Sequence, residues 1–273
     1  MASNNFFDVL NIVNDYNKAN IIQSLMTNKC LGSYIEKNII KLYFDHGSKN
    51  EIEQKIQHLI IEGSLNWYWE IQKNEDWHLK WQNNFKPLII NKKITIVPSW
   101  YDRPIKDHII KIKPGMAFGT GHHETTWLML DQITKQNLKN KSVLDLGTGS
   151  GILSIASYKL GATTIDSIEN DLNCKENFNL NLKLNNVNKN INFSQIDVFA
   201  CTNFNYDIIL ANINTHIIKK MIPLMKGTKA TILFSGLLIE DYESVNNIIS
   251  SNNMIISNKI SKGEWLCLTV HSN

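Results

Sequence analysis

The apolar run Val143-Leu144-Asp145-Leu146 passes straight into Gly147-Thr148-Gly149-Ser150-Gly151, and a helical pattern (Ile152, Leu153, Ile155, Ala156, Leu160) starts at once. A strand that turns through glycines into a helix implies a right-handed crossover to a second, parallel strand. The glycines let the backbone bend sharply and approach a bound molecule with no Cβ in between. The N–H groups at the new helix start then face that molecule. A second apolar run closes at Glu169, eighteen positions past Gly151. An acid at that strand tip is placed to accept both hydroxyls of a ribose. The combination describes a nucleoside-binding βαβ unit.

The spacing argues against the commonest nucleotide. A dinucleotide fingerprint reads G-x-G-x-x-G, its third glycine allowing close helix–strand packing beside a pyrophosphate. Here the glycines run G-x-G-x-G, and Ile152 stands where the third fingerprint glycine belongs. Preceded by Leu-Asp, this tighter pattern resembles motif I of the S-adenosylmethionine-dependent methyltransferases. The resemblance implies a loop packed against the methionine end of the cofactor and an acid on the ribose.

Around this unit the chain organises into two parts. At 273 residues it can hold one large domain, or a standard one plus a small one. In the first part, Phe6 to Val13 reads as a strand, Tyr16 to Thr27 as a helix, and Tyr34-Ile35 with Ile39 to Phe44 as a hairpin. Lys49 to Ile61 carries a helical stripe (Ile52, Ile56, Leu59, Ile60), and Asn66 to Ile71 reads as a last strand. The order β-α-β-β-α-β is the ferredoxin-like split unit. It holds no cluster of titratable residues with a catalytic look, so residues 1–73 are expected to form a small α+β binding domain. Residues 74–98 read as an aromatic linker, with Trp77 and Trp81 four apart and so on one face of a helical turn. Ile94 to Pro98 and Ile109 to Ile112 read as strands introducing the second domain, residues 99–273.

From Asn140 onward strands and helices alternate. Strands are expected at Ser142–Leu146, Thr164–Glu169, Ile191–Ile196, Tyr206–Ala211 and Ala230–Ser235, and helices at Ile152–Leu160, Leu172–Asn185 and Ile217–Met225. This pattern specifies an α/β fold with a doubly wound, mostly parallel sheet. The tail departs from it: Met254–Lys259 and Trp265–His271 flank Ser261-Lys262-Gly263, the mark of a C-terminal antiparallel hairpin. Such a hairpin is the habit of class I methyltransferases, and Rossmann dehydrogenases lack it. Ligands of such sheets sit at the carboxyl ends of the strands, where Gly147, Glu169 and Asn212 fall.

A longer segment narrows the family. Lys113-Pro114-Gly115-Met116-Ala117-Phe118-Gly119-Thr120-Gly121-His122-His123-Glu124-Thr125-Thr126 precedes an amphipathic helix, Trp127 to Ile133. It resembles the P-G-x-A-F-G-T-G-x-H-x-T-T signature of the ribosomal protein L-eleven methyltransferases. So do Trp77-x-x-x-Trp81 with Phe85-Lys86-Pro87, Val97-Pro98-Ser99-Trp100, Ala211-Asn212-Ile213 and Ser235-Gly236. The likeness runs motif by motif from Trp77 onward and reaches the first seventy residues as a domain pattern.

The resemblance implies S-adenosylmethionine as cofactor and amines of ribosomal protein L-eleven as acceptors, lysine side chains and also the N-terminal α-amine. It implies an N-terminal domain that recognises the substrate and can swing. Carried over by match, Thr126 would contact the cofactor from a helix start, Gly147 and Gly149 would form the loop beside it, Glu169 would hold the ribose and Asn212 would lie beside the methyl group. The family usually has aspartate where Glu169 stands, Thr where His122 stands and often Pro where Glu124 stands. Thr126 has the rival role of helix cap, and Asp171 is a rival ribose partner.

Methyl transfer from a sulfonium needs no protonated leaving group. The acceptor nitrogen must be neutral, whereas a free lysine titrates at about 10.4 and an α-amine at about 8. Burial beside a cation lowers an amine pKa by desolvation and like charge, leaving alignment as the main catalytic task. No dedicated catalytic acid or base is therefore expected. Adjacent His122 and His123 point different ways and have no evident third ligand, so no metal is expected.

Composition sets the remaining expectations. A net charge of +3 is too mild for a nucleic-acid footprint. The four cysteines are scattered, as in a reduced cytoplasmic protein. Met1 to Asn14 lacks the basic-then-apolar order expected of a signal peptide, no apolar run approaches membrane-spanning length, and a monomer is expected. Among competing readings, amino-methylating DNA enzymes carry Asn-Pro-Pro-aromatic where this chain has Asn212-Ile213-Asn214-Thr215. A dehydrogenase conflicts with Ile152 and the terminal hairpin. A non-catalytic module conflicts with the intact set Thr126, Gly147, Glu169 and Asn212. A lysine methyltransferase acting on a different protein is the alternative that stays open.

Overall fold

A computed structural model describes residues 6–13, 30–36, 39–59, 66–73, 87–104, 108–113, 123–187 and 190–272. The chain divides into two compact units, Met1–Phe85 and Lys86–Asn273.

The first unit contains β1 (Phe6–Val13), β2 (Cys30–Glu36), β3 (Ile39–Asp45), α1 (Lys49–Leu59) and β4 (Trp67–Lys73). The strands lie in the order β2-β3-β1-β4, every pairing antiparallel. Alternation in β1 turns Leu10 and Ile12 into a core with Cys30, Ile40, Leu42, Phe44 and Ile52, against which Trp67 and Trp69 pack. Buried Asp8 sets the β3–α1 turn: its carboxylate accepts from the Gly47 and Lys49 amides at 2.8 and 3.2 Å and lies 2.8 Å from His46 Nδ1. The expected helix at Tyr16–Thr27 lies outside the described residues, as do Trp77 and Trp81.

The second unit opens with a three-stranded sheet of β5 (Leu88–Ile90), β6 (Ile94–Pro98) and β7 (His108–Ile112), antiparallel then parallel. Residues 88–98 are thus part of this unit rather than of a linker. Ile90, Ile94 and Ile96 are anchored in its core, which an extended linker could not bury. There follow α2 (Glu124–Ile133), β8 (Ser142–Leu146), α3 (Ile152–Lys159), β9 (Thr164–Ile168), α4 (Leu172–Leu184) and β10 (Ile191–Ser194). Then come β11 (Ile208–Asn212), α5 (Thr215–Met221), β12 (Thr231–Leu238), α6 (Tyr242–Ser251), β13 (Met254–Lys262) and β14 (Trp265–Ser272).

The seven-stranded sheet has the order β10-β9-β8-β11-β12-β14-β13. Its first five strands are parallel, and β14 joins β12 and β13 antiparallel. The doubly wound sheet and its terminal hairpin are therefore present as expected. Successive residues of the central strands feed two cores. Val143, Ile165, Leu210 and Leu233 face α2, α3 and the small sheet, while Leu144, Ile209, Ile232 and Phe234 face α5 and α6. No helix among the described residues is long and apolar enough to cross a membrane.

Several boundaries differ from expectation for physical reasons. The helix expected over Ile217–Met225 is α5 followed by a 3-10 turn, Ile222–Met225, because Pro223 lacks an N–H and cannot continue α geometry. The segment after β12 had no assignment and forms α6. Its buried Val245 and Ile249 are four apart, but the Asn and Ser between and around them are weak helix formers. Strand β12 runs on to Leu238 through a bulge at Gly236, with φ +81°. A Cβ there would collide with the Ile213 carbonyl oxygen, so only glycine fits.

Candidate functional site

Sheet register brings the expected residues to one edge. Leu146 pairs with Ile168 on one side and Ala211 on the other, and Asn212 pairs with Ser235. Gly147, Glu169 and Asn212, each at or just past its strand's end, therefore stand in a row. The sheet order reverses between β8 and β11, which is where such folds open a crevice.

The glycine loop is held closed from both sides. The Gly147 and Thr148 amides both donate to the Ile168 carbonyl, at 2.8 and 3.0 Å. Gly147, Gly149 and Gly151 all have positive φ, at 72°, 52° and 81°. Two of these positions are also crowded: a Cβ on Gly147 would strike the Ile213 side chain, and one on Gly151 would meet the Phe178 ring at 2.7 Å. Gly147 thus lets the loop pack on the segment following β11, a demand separate from closeness to a ligand.

Glu169 grips the same loop. Its Oε2 accepts from the Gly149 amide at 3.0 Å, and its Oε1 from the Asn170 and Asp171 amides at 2.9 and 3.1 Å. The extra methylene over aspartate gives it this reach. Oε1 already accepts two bonds, whereas Oε2 accepts one and keeps lone-pair capacity for a hydroxyl donor. Asp171 is engaged otherwise, as the N-cap of α4, accepting from the Asn173 amide at 2.9 Å.

Beneath the loop lies a polar network that the motif reading passed over. Fully buried Asp145 accepts through Oδ2 from the Thr148 hydroxyl at 2.7 Å and the Ser154 hydroxyl at 2.5 Å. Ser154 also meets Ser167 of β9 at 2.8 Å. Burial raises the Asp145 pKa to about 6, against the pull of these hydroxyls and with a further push from the Glu169 charge. Its Oδ1 has no hydrogen-bond partner. The available signal was an acid inside the otherwise apolar run Val143-Leu144-Asp145-Leu146.

On the other wall, buried Thr126 lies in the first turn of α2, where Asn212 Nδ2 donates to its hydroxyl at 3.5 Å. Thr126 is not the helix cap. That role falls to His123, whose Nδ1 accepts from the Thr125 amide at 3.3 Å and lies 2.8 Å from the Thr125 hydroxyl. The His123 ring meets Trp265 edge-on at 5.3 Å. Asn212 Oδ1 is buried and lacks a partner, like Asp145 Oδ1.

Next to Asn212, a cleft of about 360 Å³ opens at the ends of β11 and β12, lined by residues that include Asn214, Thr215, His216, Asp241 and Trp265. Asp241 accepts from the Thr215 hydroxyl at 2.9 Å and pairs with Lys219 at 3.3 Å. Its pKa is lowered: the hydrogen bonds and the Lys219 charge outweigh burial, individually the largest cause, which pushes upward. Residues 114–122, the body of the expected signature, lie outside the described residues. Among the described residues no three His, Cys, Asp or Glu side chains group as metal ligands.

The family profile described as Ribosomal protein L11 methyltransferase (PrmA) matches residues 11–273, across both units. The chain belongs to this family. Curated relatives agree. The Ribosomal protein L11 methyltransferase of Prochlorococcus marinus (strain MIT 9515) is 36% identical over 212 residues, covering 74% of this chain and 71% of the relative. That of Lactobacillus gasseri is 32% identical over 241 residues, covering 83% and 76%. A crystal structure of ribosomal protein L11 methylase from Lactobacillus delbrueckii subsp. bulgaricus superposes with a TM-score of 0.64 at 28% identity, covering 69% of this chain and 100% of that one.

The α/β fold with its mixed sheet is accordingly that of the L11 methyltransferases. The expected site residues are joined here in two pairs, Gly149 with Glu169 and Thr126 with Asn212, at the carboxyl ends of the central strands.

Proposed function

We propose that this protein transfers methyl groups from S-adenosylmethionine to amines of ribosomal protein L11, lysine side chains and the N-terminal α-amine. The observation that carries the substrate is the family match over residues 11–273. It runs through the first unit, which methyltransferases of unrelated substrates have no reason to share. The first unit is read as a ferredoxin-like substrate-recognition domain, and the antiparallel order β2-β3-β1-β4 supports that reading.

The crevice fits the cofactor. S-adenosylmethionine carries a sulfonium, an ammonium and two ribose hydroxyls, all seeking negative charge or acceptors. Acceptors without donors lie at the crevice and beneath it: Asn212 Oδ1 and, under the loop, Asp145 Oδ1 are buried without partners, and Glu169 Oε2 retains a lone pair. Glu169 would hold the ribose, and the Gly147–Gly149 loop and Thr126 would bound the methionine end. When bound, the cofactor supplies an activated methyl group for in-line transfer to a neutral amine.

The chain's own residues then align rather than exchange protons. Asn212 has a carbonyl oxygen to offer an amine N–H, while its Nδ2 is tethered to Thr126. The adjoining open cleft, with Trp265 and Asp241 on its wall, is where the acceptor side chain would approach. Incubation with labelled S-adenosylmethionine and unmodified total ribosomal proteins tests the reading. Label on L11 supports it, and label on another protein or on RNA overturns the substrate.

A further inference from the structure

Asn177 and Asn181 of α4 and Asn185, which caps its C-terminus, are spaced four apart and so stack along one face. Strand β7 is an edge strand, and these amides take the place of its missing neighbour. Asn185 accepts from the Lys111 amide at 2.9 Å and donates to the Lys111 carbonyl at 2.7 Å. Asn181 accepts from the Lys113 amide at 2.8 Å, and Asn177 donates to the Lys113 carbonyl at 3.2 Å.

Asn181 does one thing more. Its Nδ2 donates to the Ser150 carbonyl at 2.8 Å, inside the glycine loop, while also reaching Asn177 Oδ1 at 3.0 Å. The side chain is fully buried. Three residues earlier, Phe178 fills the space that Gly151 leaves empty. A single amide therefore ties the Ser150–Gly151 peptide to Lys113, the residue that opens the 113–126 signature.

We propose that Asn181 is a positioning residue for the cofactor, setting the glycine loop against the start of the signature segment without touching the cofactor itself. The inference rests on the reading of S-adenosylmethionine as cofactor. Loss of the Ser150 bond lets the loop sample positions in which its backbone no longer meets the ligand, and binding weakens by the population lost. Transfer from a saturated site proceeds nearly as before. A residue that merely stabilised the fold would lower the melting temperature and leave affinity alone.

Asn185 supplies the comparison, because it fastens β7 but makes no bond to the loop. The test measures S-adenosylmethionine Kd by calorimetry, melting temperature, and kcat at saturating cofactor for wild type, Asn181→Ala, Asn181→Asp and Asn185→Ala. The aspartate variant keeps the acceptor for Lys113 and the side-chain volume, so it carries the test if the alanine variant does not fold. Expected is a Kd raised about tenfold in both Asn181 variants, kcat within about twofold, and an unchanged Kd in Asn185→Ala despite a lowered melting temperature. Equal Kd in wild type and Asn181→Asp, or equal losses of affinity at Asn181 and Asn185, overturns the inference while leaving the cofactor reading standing. Absence of S-adenosylmethionine binding by wild type removes that reading and the inference with it.

Discussion

At the scale of single residues, the crevice is organised by two acids with opposite duties. Glu169 spends three hydrogen bonds on backbone amides of the glycine loop and of its own turn, and the lone pair left on Oε2 is the one proposed to take a ribose hydroxyl. Glu169→Ala removes both functions, and S-adenosylmethionine affinity measured by calorimetry should fall about 10- to 100-fold. Asp145 is costly instead. Its folded pKa of about 6 lies above the ordinary 3.8, so the folded state binds the proton more tightly than the unfolded chain. Its contribution to stability is fully present below pH ~4, declines as pH rises through ~6 and is then lost, a change of about 3 kcal/mol at most. Asp145→Asn should therefore melt progressively higher than wild type, without cofactor, as pH goes from 4 to 7; a constant difference would show that Asp145 does not titrate in this window. Thr126, Gly147, Glu169 and Asn212 were legible because each directly follows a strand or opens a helix in a spaced motif. The Asp145 network was not, since its hydroxyl partners Thr148, Ser154 and Ser167 meet only after the crossover closes.

At the scale of elements, close backbone packing shapes the acceptor side. The bulge at Gly236 lets β12 pass beneath the Ile213 carbonyl, and Gly147 admits the Ile213 side chain from the other direction. Ile213 is thus clamped between two glycines, which fixes its neighbour Asn212. Gly236→Ala introduces a collision with backbone at positive φ, which flexible side chains cannot relieve. The expected cost is about 1–3 kcal/mol, read as a lower melting temperature, with kcat falling more than cofactor affinity because Asn212 shifts. The alternating strands and helices from β8 to the terminal hairpin were readable from periodicity, since burial on both faces of a parallel sheet demands continuous apolar runs. α6 and the short β5 were not. Asn and Ser mask the helical stripe of the first, and the three residues of the second are too few for a period to show.

At the scale of the whole molecule, the chain divides into two compact units, and the function proposed above places recognition in the first and chemistry in the second. The glycine loop, Glu169, Thr126 and Asn212 all lie inside the second unit, Lys86–Asn273. That unit expressed alone should bind S-adenosylmethionine with wild-type affinity yet lose most of its transfer to L11; full transfer by the isolated unit would assign recognition to the crevice itself. An S-adenosylmethionine-type cofactor was legible from the glycine loop together with Glu169, because the loop's spacing argues against a pyrophosphate. The substrate was not, since the loop is common to methyltransferases of many acceptors and only the signature and the first unit distinguish them. The most direct measurement is the mass of purified, unmodified L11 after incubation with the protein and S-adenosylmethionine. Successive methyl increments, mapping to lysine side chains or the N-terminal amine, are predicted. L11 left unmodified by protein that demonstrably binds the cofactor would contradict the account.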